Sequence, residues 1–310
     1  MSENLPKISI IGAGNVGSSC AFLVAVNSLA DVFLFDKFEE LAQAKALDIG
    51  QAAAAFNSHS KVLAPKEMNE LEGSQVIIIT AGIARKPGMS RADLVKTNGA
   101  IAKELSISIR KHAPESIVLV VSNPLDLITW IVLKETGFDR KRVFGMAGIV
   151  DNSRLRYFTA EKTDTDVNAV ESHVLGLHAD KMVIAEEQML INKKPIKEVL
   201  HENQIEEIKT KTRGAGAQIV SLLKNGSAFY LPGSGAYLMS KAILEDSGET
   251  FDTCVYLEGE YGLSDVCLGV NATVGKTGIK KIIELGMGKK SYIELKENER
   301  LFSEQKKLLS

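Results

Sequence analysis

Apolar and polar positions follow two rhythms along this chain, and the rhythm changes near its middle. Up to Gly145, short apolar runs rich in β-branched residues take turns with longer stretches of helical period. The short runs are 8–11, 32–35, 61–64, 76–80, 117–121 and 143–145. Unbroken apolar runs of this length suit strands buried on both faces of a parallel sheet. Between them, 16–26, 39–55, 92–112 and a stretch from Leu125 to near Gly137 read as helices. Strands alternating with helices in this way predict an α/β unit, a doubly wound parallel sheet with helices on both faces. Ligands of such sheets bind at the carboxyl ends of the strands.

Beyond Ala147-Gly148 the alternation stops. Residues 149–162 read as a helix and 167–175 as an extended run. A long helical pattern over 202–223 is interrupted by Gly214 and Gly216, and 224–235 reads as a loop before a helix over 236–244. Residues 251–261 and 266–273 alternate like antiparallel strands. Residues 280–285 are extended or helical, and 292–309 form a charged amphipathic helix. The chain therefore divides into 1–146 and 147–310, the second part α+β, with a cleft between them.

Composition narrows the classes. The 310 residues have 45% hydrophobic and 25% charged content, the profile of a soluble globular protein. A net charge of −2 gives no basic field for nucleic acid. Cys20, Cys254 and Cys267 are far apart and form no CxxC pair, so neither a disulfide framework nor a zinc site is expected. No metal is expected elsewhere. The first seven residues lack a signal-peptide pattern, and no apolar run is long enough to span a membrane. A cytoplasmic setting and no membrane partner are the expectations.

The first short run leads directly into Gly12-Ala13-Gly14-Asn15-Val16-Gly17 and then a helix. Strand, GxGxxG, helix is the context that points to a dinucleotide. Gly12 makes the tight turn, Gly14 lets main chain approach a pyrophosphate, and Gly17 lets helix and strand pack closely. The helix N-terminus attracts the phosphate charge. Asp36 ends the second strand, where a carboxylate accepts hydrogen bonds from a ribose and repels a 2′-phosphate. That favours NAD over NADP, although Lys37 follows directly.

Two arginines, Arg85 and Arg91, bracket a Pro-Gly pair in the loop 80–91. Guanidinium groups on such a loop suit a flap that brings cations to a carboxylate; a solvated basic loop is the alternative. Asn123 before Pro124 is either part of a strand-to-helix turn or an amide reaching a ligand at the sheet edge. Asn98, early in the helix after the arginine loop, is a similar candidate. In the second half, Asp151 and Arg154 share one helical face, which by itself is an ordinary ion pair. His178 sits in a small-residue turn at the end of an extended run, and Asp151 is a candidate partner to fix its tautomer. His173, inside the extended run, reads as structural.

The sequence resembles the malate and lactate dehydrogenases, specifically the lactate-dehydrogenase-like malate dehydrogenases. The resemblance spans the whole chain and is carried in order by IGAGNVG, the FD that ends strand two, TAGIARKPGMSR, VSNPLD, the DNSRLR helix and VLGLHAD. It implies a Rossmann fold with a C-terminal α+β substrate domain, and NAD-dependent, reversible oxidation of (S)-malate to oxaloacetate, a step of the tricarboxylic acid cycle. His178 is then the general acid/base held by Asp151, Arg154 binds the C1 carboxylate, and Arg91 binds the reacting oxygen. Arg85 falls where malate enzymes typically carry arginine and lactate enzymes glutamine. Asn123 contacts substrate and nicotinamide. Gly12, Ala13, Gly14, Asn15, Val16, Gly17, Asp36, Asn98, Val121 and Ser122 hold the cofactor. The family forms homotetramers and homodimers, and the resemblance favours the tetramer. A lactate or other 2-hydroxy-acid dehydrogenase is the near alternative, and a non-enzymatic dinucleotide-binding protein the distant one. The chain departs from the family pattern at Leu177, Ala179, Lys181 and Asn271. Ala179 stands where glycine is usual, which would strain the turn if a positive φ were needed there.

Overall fold

The computed structural model describes residues 5–83 and 90–309, with Arg91 described by its backbone alone. The first half builds six parallel strands: β1 (Lys7–Ile11), β2 (Asp31–Phe35), β3 (Val62–Leu63), β4 (Val76–Ile79), β5 (Ile117–Val120) and β6 (Val143–Gly145). Their order in the sheet is β3-β2-β1-β4-β5-β6, so the order reverses between β1 and β4. The connecting helices are α1 (Asn15–Val26), α2 (Glu39–Ala55), α3 (Arg91–His112) and α4 (Leu125–Thr136). β4 and β5 are buried along their whole length, as helices on both faces require.

The second half opens with α5 (Ala147–Thr163). Short strands follow: β7 (Val170–Glu171), β8 (Val174–Leu175), β9 (Val183–Ile184), β10 (Leu190–Ile191) and β11 (Lys194–Pro195). Then come α6 (Ile196–Val199), α7 (Glu202–Leu223), α8 (Tyr230–Leu244), β12 (Thr250–Glu258), β13 (Ser264–Gly275), β14 (Gly278–Ile283) and α9 (Lys289–Lys306). The antiparallel strands β12, β13 and β14 do not form a sheet of their own. β12 pairs with β6 through Cys254 and Gly145, which extends the parallel sheet to nine strands. One apolar core accordingly runs through both halves, from Ile10 and Ile78 to Leu268 and Phe302. A smaller cluster around Leu155, Met182 and Ile205 lies against α7.

Three local expectations are corrected. The glycines at 214 and 216 do not interrupt α7, which is continuous over 22 residues. The loop expected over 224–235 is shorter, because α8 begins at Tyr230 and takes in Pro232, Gly233 and Gly235. Pro232 is tolerated since the first helical turn has no partner for its missing N–H. Gly233 is needed because a Cβ there would come 2.7 Å from the Ser19 Cβ on α1. The extended run expected over 167–175 breaks into a single 3-10 turn, Val167–Ala169, and the short strands β7 and β8. Residues 280–285, left open between strand and helix, are largely the edge strand β14.

Candidate active site

The glycine-rich turn sits at the carboxyl end of β1, beside the point where the strand order reverses. Gly12 adopts φ +117°, and a Cβ on it would lie 2.5 Å from the Thr80 Oγ1. A Cβ on Gly17 would lie 1.9 Å from the Gly12 carbonyl oxygen. These two positions exclude any side chain, whereas Gly14 faces open space. Gly14 is also the N-cap of α1 and offers no side chain to the helix N-terminus, so the first-turn amides around Asn15 and Val16 are left for a ligand. Asp36 closes the turn from β2: its Oδ2 accepts the Ala13 N–H at 2.8 Å and its Oδ1 the Phe38 N–H at 3.0 Å. The arrangement fits a dinucleotide, with an open glycine, an uncapped helix and an acid at the strand tip.

The ends of β4 and β5 form the neighbouring wall. Val121 donates its N–H to the Ile79 carbonyl at 2.9 Å, and the Ser122 hydroxyl donates to the Ala81 carbonyl at 2.6 Å. Asn98 is buried and engaged on all sides. Its Oδ1 accepts the Ile83 N–H at 2.9 Å, and its Nδ2 donates to the Ile83 and Asn123 carbonyls at 3.1 and 2.7 Å. It thus ties the start of the arginine loop to the Asn123-Pro124 turn, whose peptide bond is cis. The Asn123 residue is exposed at this edge. Arg85 lies outside the described residues. Arg91 opens α3, where Ser90 caps the helix in a reciprocal pair with Asp93, but the Arg91 side chain likewise lies outside what the structure describes.

His178, Asp151 and Arg154 come together from two elements. The His178 Nδ1 lies 2.6 Å from the Asp151 Oδ2, and the Arg154 Nη1 donates to the Asp151 Oδ1 at 3.2 Å. Asp151 is 1% exposed, so this carboxylate is shared between two cations inside the protein. The Arg154 Nε is buried without a hydrogen-bond partner among the described residues. Its guanidinium packs toward Gly216 of α7, where even a Cβ would stand only 3.6 Å from Nη2. An arginine held at one end and unpaired at the other is a candidate to receive a carboxylate.

The turn that carries His178 is fixed from several sides. Gly176, at φ +80°, exchanges main-chain hydrogen bonds of 2.8 Å with Gly269 of β13. The Leu177 N–H donates to the Asn298 Oδ1 of α9 at 2.6 Å. The His178 N–H donates to the Asp126 Oδ2 of α4 at 2.9 Å. Ala179 does not adopt a positive φ, so the usual glycine is not needed there and the substitution carries no backbone strain. Burial alone would lower the basicity of the His178 imidazole. The charge and hydrogen bond of Asp151, with Asp126 behind them, outweigh burial and the opposing charge of Arg154, and the net shift is upward.

His173 is held apart from this group. Its Nδ1 lies 2.8 Å from the Asp252 Oδ1, and Asn271 donates to the same oxygen at 2.9 Å. Asn271, one of the departures from the family pattern, thus completes a polar cluster under β12 and β13. Asp126 was missed by sequence reasoning. At the start of a helix it reads as an ordinary first-turn acid, and only the fold brings it beneath His178.

Comparison with known proteins agrees with this geometry. Residues 6–145 match the lactate/malate dehydrogenase NAD binding domain, and residues 149–309 match the lactate/malate dehydrogenase alpha/beta C-terminal domain. The malate dehydrogenase of a Nitratiruptor species is 41% identical over 314 residues, covering 96% of this chain and 98% of that protein. The crystal structure of the Cryptosporidium parvum malate dehydrogenase superposes with a TM-score of 0.95 at 32% identity, covering 98% of this chain and 99% of that one. The lactate dehydrogenase from Eimeria maxima with NADH and oxamate gives a TM-score of 0.95 at 33% identity, covering 99% and 95%. The chain belongs to the lactate/malate dehydrogenase family, with a Rossmann-type NAD-binding half and an α/β C-terminal half.

Proposed function

We infer that this protein is an NAD-dependent malate dehydrogenase that interconverts (S)-malate and oxaloacetate. The observation that carries the reading is the buried Asp151 carboxylate placed between the His178 Nδ1 and the Arg154 guanidinium. The 41% identity to a malate dehydrogenase over nearly the full length supports malate as the substrate.

The hydrogen bonds of Asp151 support the roles proposed for His178 and Arg154; those of Arg85 and Arg91 rest on the family resemblance. Asp151 accepts the Nδ1 proton of His178, which leaves Nε2 as the basic nitrogen. In malate oxidation, neutral His178 takes the hydroxyl proton at Nε2; in the reverse direction, protonated His178 returns it to the ketone oxygen. The unpaired side of Arg154 binds the C1 carboxylate in a two-pronged contact. Arg91 steadies charge on the reacting oxygen, and Arg85 pairs with the second carboxylate. NAD, which Gly12 to Gly17 and Asp36 would hold, would supply the hydride acceptor, with Val121, Ser122 and Asn123 on the nicotinamide side and Asn98 bracing that wall through its hydrogen bonds to Ile83 and Asn123. Asp36 favours NAD over NADP, because a 2′-phosphate would meet its carboxylate. Residues 1–146 bind the cofactor in this scheme and residues 147–310 supply the acid/base pair.

A homotetramer is the proposed assembly, with a dimer as its alternative. The exposed apolar side chains Phe38, Leu41 and Leu47, on α2 and just before it, support self-association. Three buried cysteines outside any disulfide support a reducing, cytoplasmic setting. The test of function is one assay matrix, NADH and NADPH each against oxaloacetate and pyruvate. Rapid NADH oxidation with oxaloacetate is expected. Preference for pyruvate would overturn the choice of substrate, and undiminished turnover in H178N would overturn the mechanism.

A further inference from the structure

His178 is flanked by a second buried carboxylate that the scheme above does not use. Asp126 lies in the first turn of α4, 4% exposed. Its Oδ2 accepts the His178 main-chain N–H at 2.9 Å, while its Oδ1 is buried with no nitrogen or oxygen partner among the described residues, and only the weakly donating Cys254 thiol acts on the carboxylate besides. A carboxylate with one oxygen unsatisfied in the interior is expensive to keep ionised. Holding one N–H does not require the charge, because an amide oxygen would accept that proton as well. The charge therefore calls for an electrostatic reason.

We propose that Asp126 is a positioning residue for His178: its carboxylate anchors the main chain of the His178 turn, and its charge sustains the protonated imidazole. Among the described residues, the charged and titratable groups around the two residues come from three elements. His178 is on the turn after β8. Asp151 and Arg154 are on α5, on the far side of the imidazole. Cys254 is on β12 and acts on Asp126, and Cys267 of β13 acts on Cys254 in turn. Arg154 opposes the imidazolium and Asp151 favours it most, and Asp126 adds a second negative charge on the favourable side.

The surroundings also make Asp126 responsive. Burial pushes its carboxyl up to about 6; His178 and Cys254 pull it down, and Asp151 adds to the rise. Asp126 and His178 are buried side by side, so the protonation of each changes the other. Loss of a proton from Asp126 as pH rises strengthens the imidazolium. The range over which His178 can return a proton to oxaloacetate is widened toward higher pH.

The test is the pH dependence of kcat/KM in both directions for the full-length D126N enzyme. Asn keeps an oxygen for the His178 N–H and removes the charge. Oxaloacetate reduction needs protonated His178, so its alkaline limb moves to lower pH. Malate oxidation needs neutral His178, so its acid limb moves to lower pH as well. On the displaced limb the rate, relative to each enzyme's own plateau, changes on the order of three- to tenfold. D126A, which also frees the main chain, loses more of the plateau rate than D126N. Limbs that stay in place in an active D126N enzyme would overturn the proposal. Should D126N fail to fold, ring-labelled histidine in the wild-type protein decides, with the His178 signal assigned by its loss in H178Q. A second inflection near the Asp126 titration supports the proposal, and a single inflection overturns it. The inference rests on His178 being the acid/base, and the two failures are distinct: that reading fails if H178N retains activity, this one if the pH limbs of D126N do not move.

Discussion

Replacing Asp151 by Asn removes one charge from the centre of the site while keeping the side chain's size. The carboxylate is 1% exposed and touches the His178 Nδ1 at 2.6 Å and the Arg154 Nη1 at 3.2 Å. Charge centres about 4 Å apart at an effective dielectric of about 20 interact by about 4 kcal/mol. A charge-assisted hydrogen bond, judged by mutation, contributes about 1.5–3 kcal/mol. The imidazolium is therefore expected to lose about 2–4 kcal/mol in D151N, which is about 30- to 1,000-fold in kcat/KM for oxaloacetate reduction. An Asn amide turned toward Nδ1 would also impose the wrong tautomer and add to the loss. The assay is steady-state oxidation of NADH by oxaloacetate across pH. The sign is fixed by the upward shift of His178 in the native enzyme: without Asp151 the imidazole is less basic, so the alkaline limb moves to lower pH. A D151N enzyme that is folded and within about threefold of the wild type at every pH would refute the role given to this pair.

Four further outcomes are expected. R85Q should shift preference from oxaloacetate toward pyruvate by on the order of a hundredfold or more in the ratio of kcat/KM, because a pocket arginine without a second carboxylate costs about 3–5 kcal/mol; an unchanged ratio counts against Arg85 as the selector. G17A should weaken NADH binding at least about tenfold and destabilise the fold by about 1–3 kcal/mol, since its Cβ would need space 1.9 Å from the Gly12 carbonyl oxygen; fluorescence titration and thermal melting measure the two effects. D36S should improve the NADPH to NADH ratio by removing the carboxylate that meets a 2′-phosphate. H173Q should destabilise mainly at low pH. His173 is shifted upward because the hydrogen bond and charge of Asp252 outweigh burial. Its contribution is full below the unfolded histidine value and fades as pH rises through the folded one. Melts of H173Q and wild type should differ by about 1–3 kcal/mol near pH 5 and converge in alkaline buffer.

The apolar runs placed β1, β2, β4, β5 and β6 correctly because strands buried on both faces must be apolar at every position. The glycine spacing of the first turn was legible for a related reason: a positive φ and a contact shorter than any side chain allows leave only one residue type. Weak periodicity hid other elements. Pro232-Gly233-Ser234-Gly235 looks like a loop, yet it folds within the first two turns of α8, where close packing on Ser19 and Cys20 of α1 selects a glycine at 233. The start of α9 carries no capping residue of its own. Its N-terminus is satisfied by Glu187, which accepts the Gly288 N–H and, at 3.1 Å, the Ser291 hydroxyl.

The sequence by itself determined the cofactor half. Its strand ends, glycines and Asp36 lie within one short segment, and local spacing is enough to place a phosphate against a helix N-terminus. It also supplied the list of candidate reactive residues, through six motifs in family order. Only the tertiary structure decided how those residues meet. Asp151 and His178 are 27 positions apart, and Asp126 lies 52 positions before His178. No periodicity spans such separations. Contact among them depends on α4, α5 and the turn after β8 converging on one point. The same packing joined β12 to β6, so that strands from both halves share one nine-stranded sheet. Residue chemistry is a local property and can be read along the chain; the electrostatic environment that sets a proton's position is a sum over neighbours that only folding brings together.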